Sequence, residues 1–347
     1  MKKFLLCLLM LIVTPISGCT IDYSNFKKSD PNVPLVQNPD GTYTKNFLDS
    51  SCSNIDVYYL DLQDDKHETK IGDSTYIKCG NVDILIDAGV KNVGSNTVVP
   101  FLKEKVTDKT LELVIITHTD NDHIGGFVGL SSKEGALRIS DFTYEYIIES
   151  GYVADTQVYR DLMELVTESG AKVCTGHQSL TGENECAKSF KLGNATLDVL
   201  DTSFYNDNKA SANDRSVVTL LTHNEVTFLF PGDLEDDEEL AKIVEHVDIF
   251  KAAHHGASSA NSSALLNALT PDVIILSTGL DGVEKYDIPQ QATLDRIYAV
   301  TDTVYATFTT GTIKITSNGT NYTVSADNLQ LFQTTDWFTA NRTYNAS

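Results

Sequence analysis

Positive charge is what this 347-residue chain has least of: 26 Lys and Arg stand against 48 Asp and Glu, a formal net charge of −22. Such a surface repels phosphate polymers, although the repulsion fades beyond a Debye length of about 8 Å in physiological salt. Tight, sequence-independent nucleic-acid binding is therefore not expected. Long apolar runs are also scarce, and after Val13 no segment is long and apolar enough to span a bilayer. Of the six cysteines, the four beyond Cys19 are Cys52, Cys79, Cys174 and Cys186. They contain no C-x-x-C pair and lie away from the histidine-rich part of the chain, which argues against a thiolate metal site. There is no internal repeat. The single Trp, Trp337, falls in a carboxyl-terminal tail (329–347) to which the sequence assigns no role.

The amino terminus has a pattern of its own. Lys2 and Lys3 precede ten apolar residues, Phe4 to Val13, followed by Ile16-Ser17-Gly18-Cys19. At about 1.5 Å per residue that run covers only half of a ~30 Å hydrocarbon core, so it reads as a signal peptide over 1–18. The small residues before Cys19 resemble a bacterial lipobox. That implies an exported protein with Cys19 lipidated, held to the membrane through this anchor alone and facing away from the cytoplasm. Residues 19–50, rich in Ser, Asn, Asp, Lys and Pro, are expected to be a tether, and 51–328 one folded domain. Four cysteines in an exported protein suggest two disulfides with three possible connectivities, of which the sequence-local pairs Cys52–Cys79 and Cys174–Cys186 are favoured.

The chemistry concentrates in THTDNDHIGG at 117–126, straight after the apolar run Leu113 to Ile116. The run reads as a buried strand, and the loop at its end brings His118, Asp120, Asp122 and His123 together as lone-pair donors for divalent cations. The pair Gly125-Gly126 suggests a tight turn under the site before a helix begins.

H-x-D-x-D-H followed by IGG resembles the metallo-β-lactamase superfamily, in the branch typified by the hydrolase domain of ComEC-type competence proteins. GDSTYI at 72–77, ILIDAG at 84–89, NDRS at 213–216, FPGD at 230–233, KAAHHGAS at 251–258 and TFTTGTIKITSNG at 307–319 follow the same order. The resemblance implies an α/β fold, an αββα sandwich, and two divalent ions, Zn²⁺ or Mn²⁺. It assigns His118 and Asp120 to one ion, Asp122 and His123 to the other, and Asp233 to a bridge between them. His254 is the expected late imidazole, with His255 as fallback or substrate contact. Asn213 and Ser216 would donate hydrogen bonds to a substrate oxygen, or else form a turn. The chain departs from the pattern at Asp201, where a further His is common and which either coordinates or leaves a ligand missing, and at Ile288, where a His-Pro is common. His67, His177, His223 and His246 lack ligand neighbours and read as surface or packing residues.

The coarse pattern places strands near 55–62, 74–79, 82–87, 111–117, 195–200, 215–222, 226–231, 247–252 and 272–277. Helices are expected near 97–106, 156–168, 235–246, 262–269 and 290–299, the acidic run Glu235 to Glu239 opening the third of these at a solvent-facing N-terminus. The implied function is a surface-anchored, metal-dependent phosphodiesterase or nuclease, with Asp122 orienting the nucleophile and carrying a proton. The substrate would be a small or polymeric phosphodiester. The alternatives are a choline-phosphate esterase or lactamase of the same fold, a non-catalytic binding lipoprotein, or a nuclease partner of a separate DNA-uptake channel. A carboxylate-rich ligand set predicts that Mn²⁺ serves at least as well as Zn²⁺.

Overall fold

The computed structural model describes residues 35–47, 52–139 and 141–333. The leader, Cys19 and Trp337 lie outside the described residues.

Among the described residues, seventeen strands form two sheets. One, of nine strands, runs in the order β1 (Leu35–Gln37), β2 (Tyr43–Phe47), β9 (Ala187–Leu192), β10 (Ala195–Val199), β11 (Thr219–His223), β12 (Val226–Phe230), β13 (Ile249–Lys251), β14 (Val273–Leu276), β15 (Val304–Ala306). The other, of eight, runs β17 (Tyr322–Ser325), β16 (Ile313–Ser317), β3 (Ile55–Tyr59), β4 (Thr75–Cys79), β5 (Val82–Ile86), β6 (Thr110–Ile116), β7 (Thr143–Glu149), β8 (Lys172–Thr175). The helices are α1 (Lys91–Val93), α2 (Val99–Lys105), α3 (Asn121–Val128), α4 (Gln157–Glu168), α5 (Gly176–Thr181), α6 (Ser263–Leu269), α7 (Leu280–Tyr286), α8 (Gln291–Tyr298) and α9 (Thr307–Thr310).

Period-2 alternation creates the layers, because successive side chains on a strand point to opposite faces. On β6, Leu113 and Ile115 enter the core between the sheets, whereas Val114 and Ile116 face the helical layer that holds Val99 and Leu102 of α2, Phe127 of α3 and Leu162 of α4. On β12, Phe228 and Phe230 join the central core, while Leu229 faces the layer of Leu265 and Leu266 of α6 and Leu294 of α8. Two sheets with helices on both outer faces make the expected αββα sandwich. The cysteines pair as Cys52–Cys79 and Cys174–Cys186, with Cα–Cα distances of 4.9 and 5.9 Å. The second bridge links β8, at the edge of one sheet, to the start of β9 in the other.

Three expectations are corrected. Residues 35–47, read as tether, form β1 and β2, and β2 pairs in parallel with β9. The tail reading from 329 also starts too early: Phe332 is 1% exposed, stacks edge-on with Phe308, and donates its amide to the Val304 carbonyl. No long helix spans 235–246, where the only helical turn is Leu240–Lys242. The acids there are drawn into tertiary bonds instead: Asp237 Oδ2 accepts from the Ser262 amide, and Glu235 Oε1 accepts from Ser259 and meets His254. No helix is long and apolar enough to cross a membrane among the described residues.

Candidate metal centre

The carboxyl ends of β5, β6, β12 and β13 open toward the same region, the place where open α/β sheets bind ligands. β6 leads into His118, and Asp120 caps α3, whose first turn carries Asp122 and His123. Gly125 and Gly126 are not a turn before the helix but lie inside it. A Cβ on Gly126 would come 1.7 Å from the Ala88 carbonyl oxygen, so the glycines let α3 press against the segment after β5. β12 leads through Pro231-Gly232 to Asp233, and β13 leads to His254 and His255.

Asp233 is the hub. Its Oδ2 lies 3.1 Å from His123 Nε2, 3.3 Å from His255 Nε2, 3.8 Å from His254 Nε2 and 3.9 Å from His118 Nε2. Asp122 Oδ2 is 3.2 Å from His255 Nε2, and Asp120 Oδ2 is 4.0 Å from His118 Nε2. The Nε2 atoms of His123 and His255 are only 3.3 Å apart. Yet His118 Nε2 and Asp233 Oδ1, both buried, have no hydrogen-bond partner among the described residues. A buried ring nitrogen left without a partner is costly, and a cation held between His118 Nε2 and Asp233 Oδ2, 3.9 Å apart, would satisfy it. Imidazole nitrogens and carboxylates form the donor set that divalent first-row metals take, so the residues fit such ions.

The electrostatics agree. Burial, with the neighbouring charge of His123, pushes His118 down to about 3, leaving the ring neutral and its lone pair available. Burial alone would raise the Asp233 carboxyl, but the charges of His123 and His255 hold it well below its usual range. Asp122 is likewise held down to about 2, against burial, by its hydrogen bond to His255 and the two imidazole charges. Burial opposes charge on His123 and His255, and Asp233 overrides it, raising both well above the ordinary imidazole value.

Sequence reasoning missed the residues that aim these imidazoles. Asp87, buried at φ 57, accepts from His123 Nδ1 at 2.7 Å and from the amide and hydroxyl of Thr117 at 2.8 and 2.5 Å. His255 Nδ1 donates to the Ser277 carbonyl at 2.8 Å and lies 3.4 Å from Asp73 Oδ1. Asp73 pairs closely with Lys251, whose buried ammonium also donates to the Gly232 carbonyl at 3.1 Å and sits 3.7 Å from Asp233 Oδ1. Such partners fix ring tautomer and orientation. The available signal was a charged residue inside an otherwise apolar segment, as in ILIDAG and IFKAA.

The preference for His254 over His255 is reversed. His255 is buried and belongs, with Asp73, His123 and Asp233, to a group whose ligating atoms all lie within 4.8 Å of one another. His254 sits at the rim, its Nδ1 2.9 Å from Glu235. Both carry left-handed backbone, φ 48 and 53, strain that persists where the surroundings over-determine it. Asp201 is exposed and accepts from the Ser203 amide, apart from the cluster. Ser216 is buried with its hydroxyl accepting from the Asp233 amide at 3.0 Å, so it braces the hub and does not face substrate. Asn213 accepts the Ser216 amide through its carbonyl, as a turn. Ile288 packs with Ile71 and Ala257. His67 is exposed, His177 is half-buried, His223 is buried against Ser317, and His246 bonds Thr270 at the surface.

Residues 69–160 match the family model of the metallo-β-lactamase superfamily. ComE operon protein 3 of Bacillus subtilis is 24% identical over 232 residues, covering 64% of this chain and 26% of that protein. Recombination protein 2 of Haemophilus influenzae is 23% identical over 250 residues, covering 70% and 27%. The chain thus spans about a quarter of the length of these curated relatives. The metallo-β-lactamase fold protein YhfI from Bacillus subtilis superposes with a TM-score of 0.49 at 12% identity, covering 76% of this chain and 100% of that one.

Proposed function

From the match of residues 69–160 to the metallo-β-lactamase superfamily we propose that the chain is a metal-dependent hydrolase, a dinuclear phosphodiesterase anchored outside the cytoplasm through Cys19. The observation that carries this reading is the convergence of four imidazoles on Asp233, with His118 Nε2 unpartnered in a buried wall. His118, Asp120 and His254 would hold one ion, Asp122, His123 and His255 the other, with Asp233 between. The ions, Zn²⁺ or Mn²⁺, supply the Lewis acidity that makes water a nucleophile near neutral pH. Asp120 and Asp122 both touch the cluster and open to the cleft, and Asp122 is the more closely held, 3.2 Å from His255 Nε2 with 26% of its side chain exposed against 54% for Asp120. Asp122 orients the attacking water and takes its proton. Asp87 and Ser277 keep the His123 and His255 rings pointed inward. The acidic surface favours a small phosphodiester or a chain end over a long polyanion.

Asp122→Asn should lower kcat on bis(4-nitrophenyl) phosphate by a factor on the order of 10²–10⁴, the usual worth of a positioned acid–base group, with the circular dichroism and Tm of the parent. Near-native turnover by that variant, or cleavage of a chromogenic lactam with none of the phosphodiester, would reject the reading. Anchoring has its own test. Cys19→Ser should move the protein from the membrane fraction to the soluble one, and a soluble, unacylated wild type would remove the anchor.

A further inference from the structure

The part of the cleft lining that α7 supplies is built differently from the metal ligands. Asp120, Asp122, His254 and His255 line a cavity of about 370 Å³ together with Lys285 and Tyr286 from the end of α7. Lys285 is the one Lys or Arg among the residues lining that cavity, and it has no ion pair among the described residues. Lys285 is thus the one lysine or arginine in that lining that an anionic substrate oxygen could meet. Tyr286 is 57% exposed and is the one aromatic ring among the exposed large hydrophobic side chains of the described residues. Ile71 and Ile288 supply an apolar floor between them.

The helix is held in place at its other end. Asp281 Oδ1 accepts from the Ile71 amide at 2.5 Å, and the Leu280 amide donates to Thr69 Oγ1 at 3.0 Å. A Cβ on Gly279 would stand 2.2 Å from the Lys70 carbonyl carbon, so only glycine lets the chain before α7 lie this close to the strand-like segment leading to Asp73. Lys285 and Tyr286 therefore project from a fixed base.

The geometry points to α7 as the substrate-recognition element of this site, Lys285 binding a non-reacting phosphoryl oxygen and Tyr286 stacking on a flat ring of the ester. The substrate class that fits is a small aromatic phosphodiester of nucleotide size, or a single nucleotide at a chain end; the inference rests on the phosphodiesterase reading above. Size supports it, since the cavity stands near the lower limit of ~300–1,000 Å³ typical of small-molecule sites and holds one such unit, not a duplex. Charge separates it from a choline ester. A quaternary ammonium is recognised by aromatic faces without a competing cation, whereas Tyr286, the one exposed large aromatic side chain among the described residues, is followed on the chain by no second ring and preceded by the Lys285 ammonium.

The test uses the intact protein reconstituted with Mn²⁺ or Zn²⁺ and three chromogenic substrates: the 4-nitrophenyl ester of thymidine 5′-phosphate, methyl 4-nitrophenyl phosphate, and 4-nitrophenyl phosphorylcholine. Lys285→Ala should raise KM about tenfold on both anionic diesters, the loss expected from one charge-assisted contact, while kcat changes far less. Lys285→Arg should restore most of it. Tyr286→Ala should raise KM about tenfold on the nucleoside ester alone, because stacking on a base is worth ~1–3 kcal/mol, and Tyr286→Phe should behave as the parent. Unchanged KM in Lys285→Ala and Tyr286→Ala, or highest kcat/KM on the choline ester, would overturn the assignment. Calorimetric titration with thymidine 5′-monophosphate separates the two failures. Binding that weakens about tenfold in both alanine variants without turnover of any diester keeps the recognition element and rejects the phosphodiesterase. Turnover of the methyl ester with no nucleotide binding by the parent does the reverse.

Discussion

Replacing Asp233 with alanine is expected to remove both the metal and the activity while the sandwich still folds. Its carboxylate is the one group that lies within 4 Å of all four site imidazoles. Losing a partner that merely orients a metal-bound imidazole costs roughly 10–100-fold in affinity or activity. Losing the carboxylate shared by both halves of the site should cost more, on the order of a thousandfold. The fold tolerates the change because Asp233 sits beyond the end of β12, and Phe228, Leu229 and Phe230, which carry the packing of that strand, are untouched. The loop keeps its brace, since Ser216 Oγ accepts from the backbone amide at position 233, not from the side chain. Metal per chain after dialysis, measured by mass spectrometry beside Tm and turnover, decides the matter. A folded Asp233→Ala protein with the parent's metal content would show that Asp233 is not a ligand.

What could be read from the sequence was what is local in it. THTDNDHIGG places four donors within six residues after an apolar strand, so the cluster was visible before any tertiary contact was known. The same holds for β3, which alternates, and for β4, β5 and β6, which are apolar along most of their length. The failures share a cause, dependence on a distant partner. β1 has only three residues and β2 carries Thr, Lys and Asn at its centre; β2 becomes a strand because β9 offers an edge, and β1 then pairs with β2. The acids at 235–239 suit a helix N-terminus by composition, but Ser259, Ser262 and His254 draw them out of it. Composition alone could not rank His254 against His255. Their order follows from two consecutive left-handed residues that turn the second ring inward and the first toward Glu235. Asp73, Asp87 and Lys251 stand in three separate segments, and nothing short of the folded chain puts them under one site.

Lys251→Met is expected to be the most destabilising substitution near the site. The ammonium is 3% exposed at the end of β13, paired with Asp73, 3.7 Å from Asp233 Oδ1 and bonded to the Gly232 carbonyl. Methionine fills the stem's volume but leaves the Asp73 carboxylate buried without its cation, and breaking a buried pair from one side costs ~3–5 kcal/mol. For a domain of this size that is a fall in Tm on the order of 10 °C. Asp73 also sets the pH dependence. Burial would raise its carboxyl, but Lys251 and His255 hold it well below the usual range. A depressed carboxyl contributes stability that is present above its unfolded value of ~3.9 and is lost as pH falls toward the folded value. The gap between parent and Lys251→Met should therefore be widest near neutrality and narrow in acid, where Asp73 accepts a proton in the variant and no longer needs the ammonium. Adding Asp73→Asn to Lys251→Met should recover part of the loss, since the double variant leaves no buried unpaired charge at that position. Thermal melts of the parent, Lys251→Met and the double variant between pH 4 and 8 test the pair. Equal Tm for the parent and Lys251→Met near neutrality would mean that the ammonium does not hold Asp73 and Asp233 in place beneath the metal site.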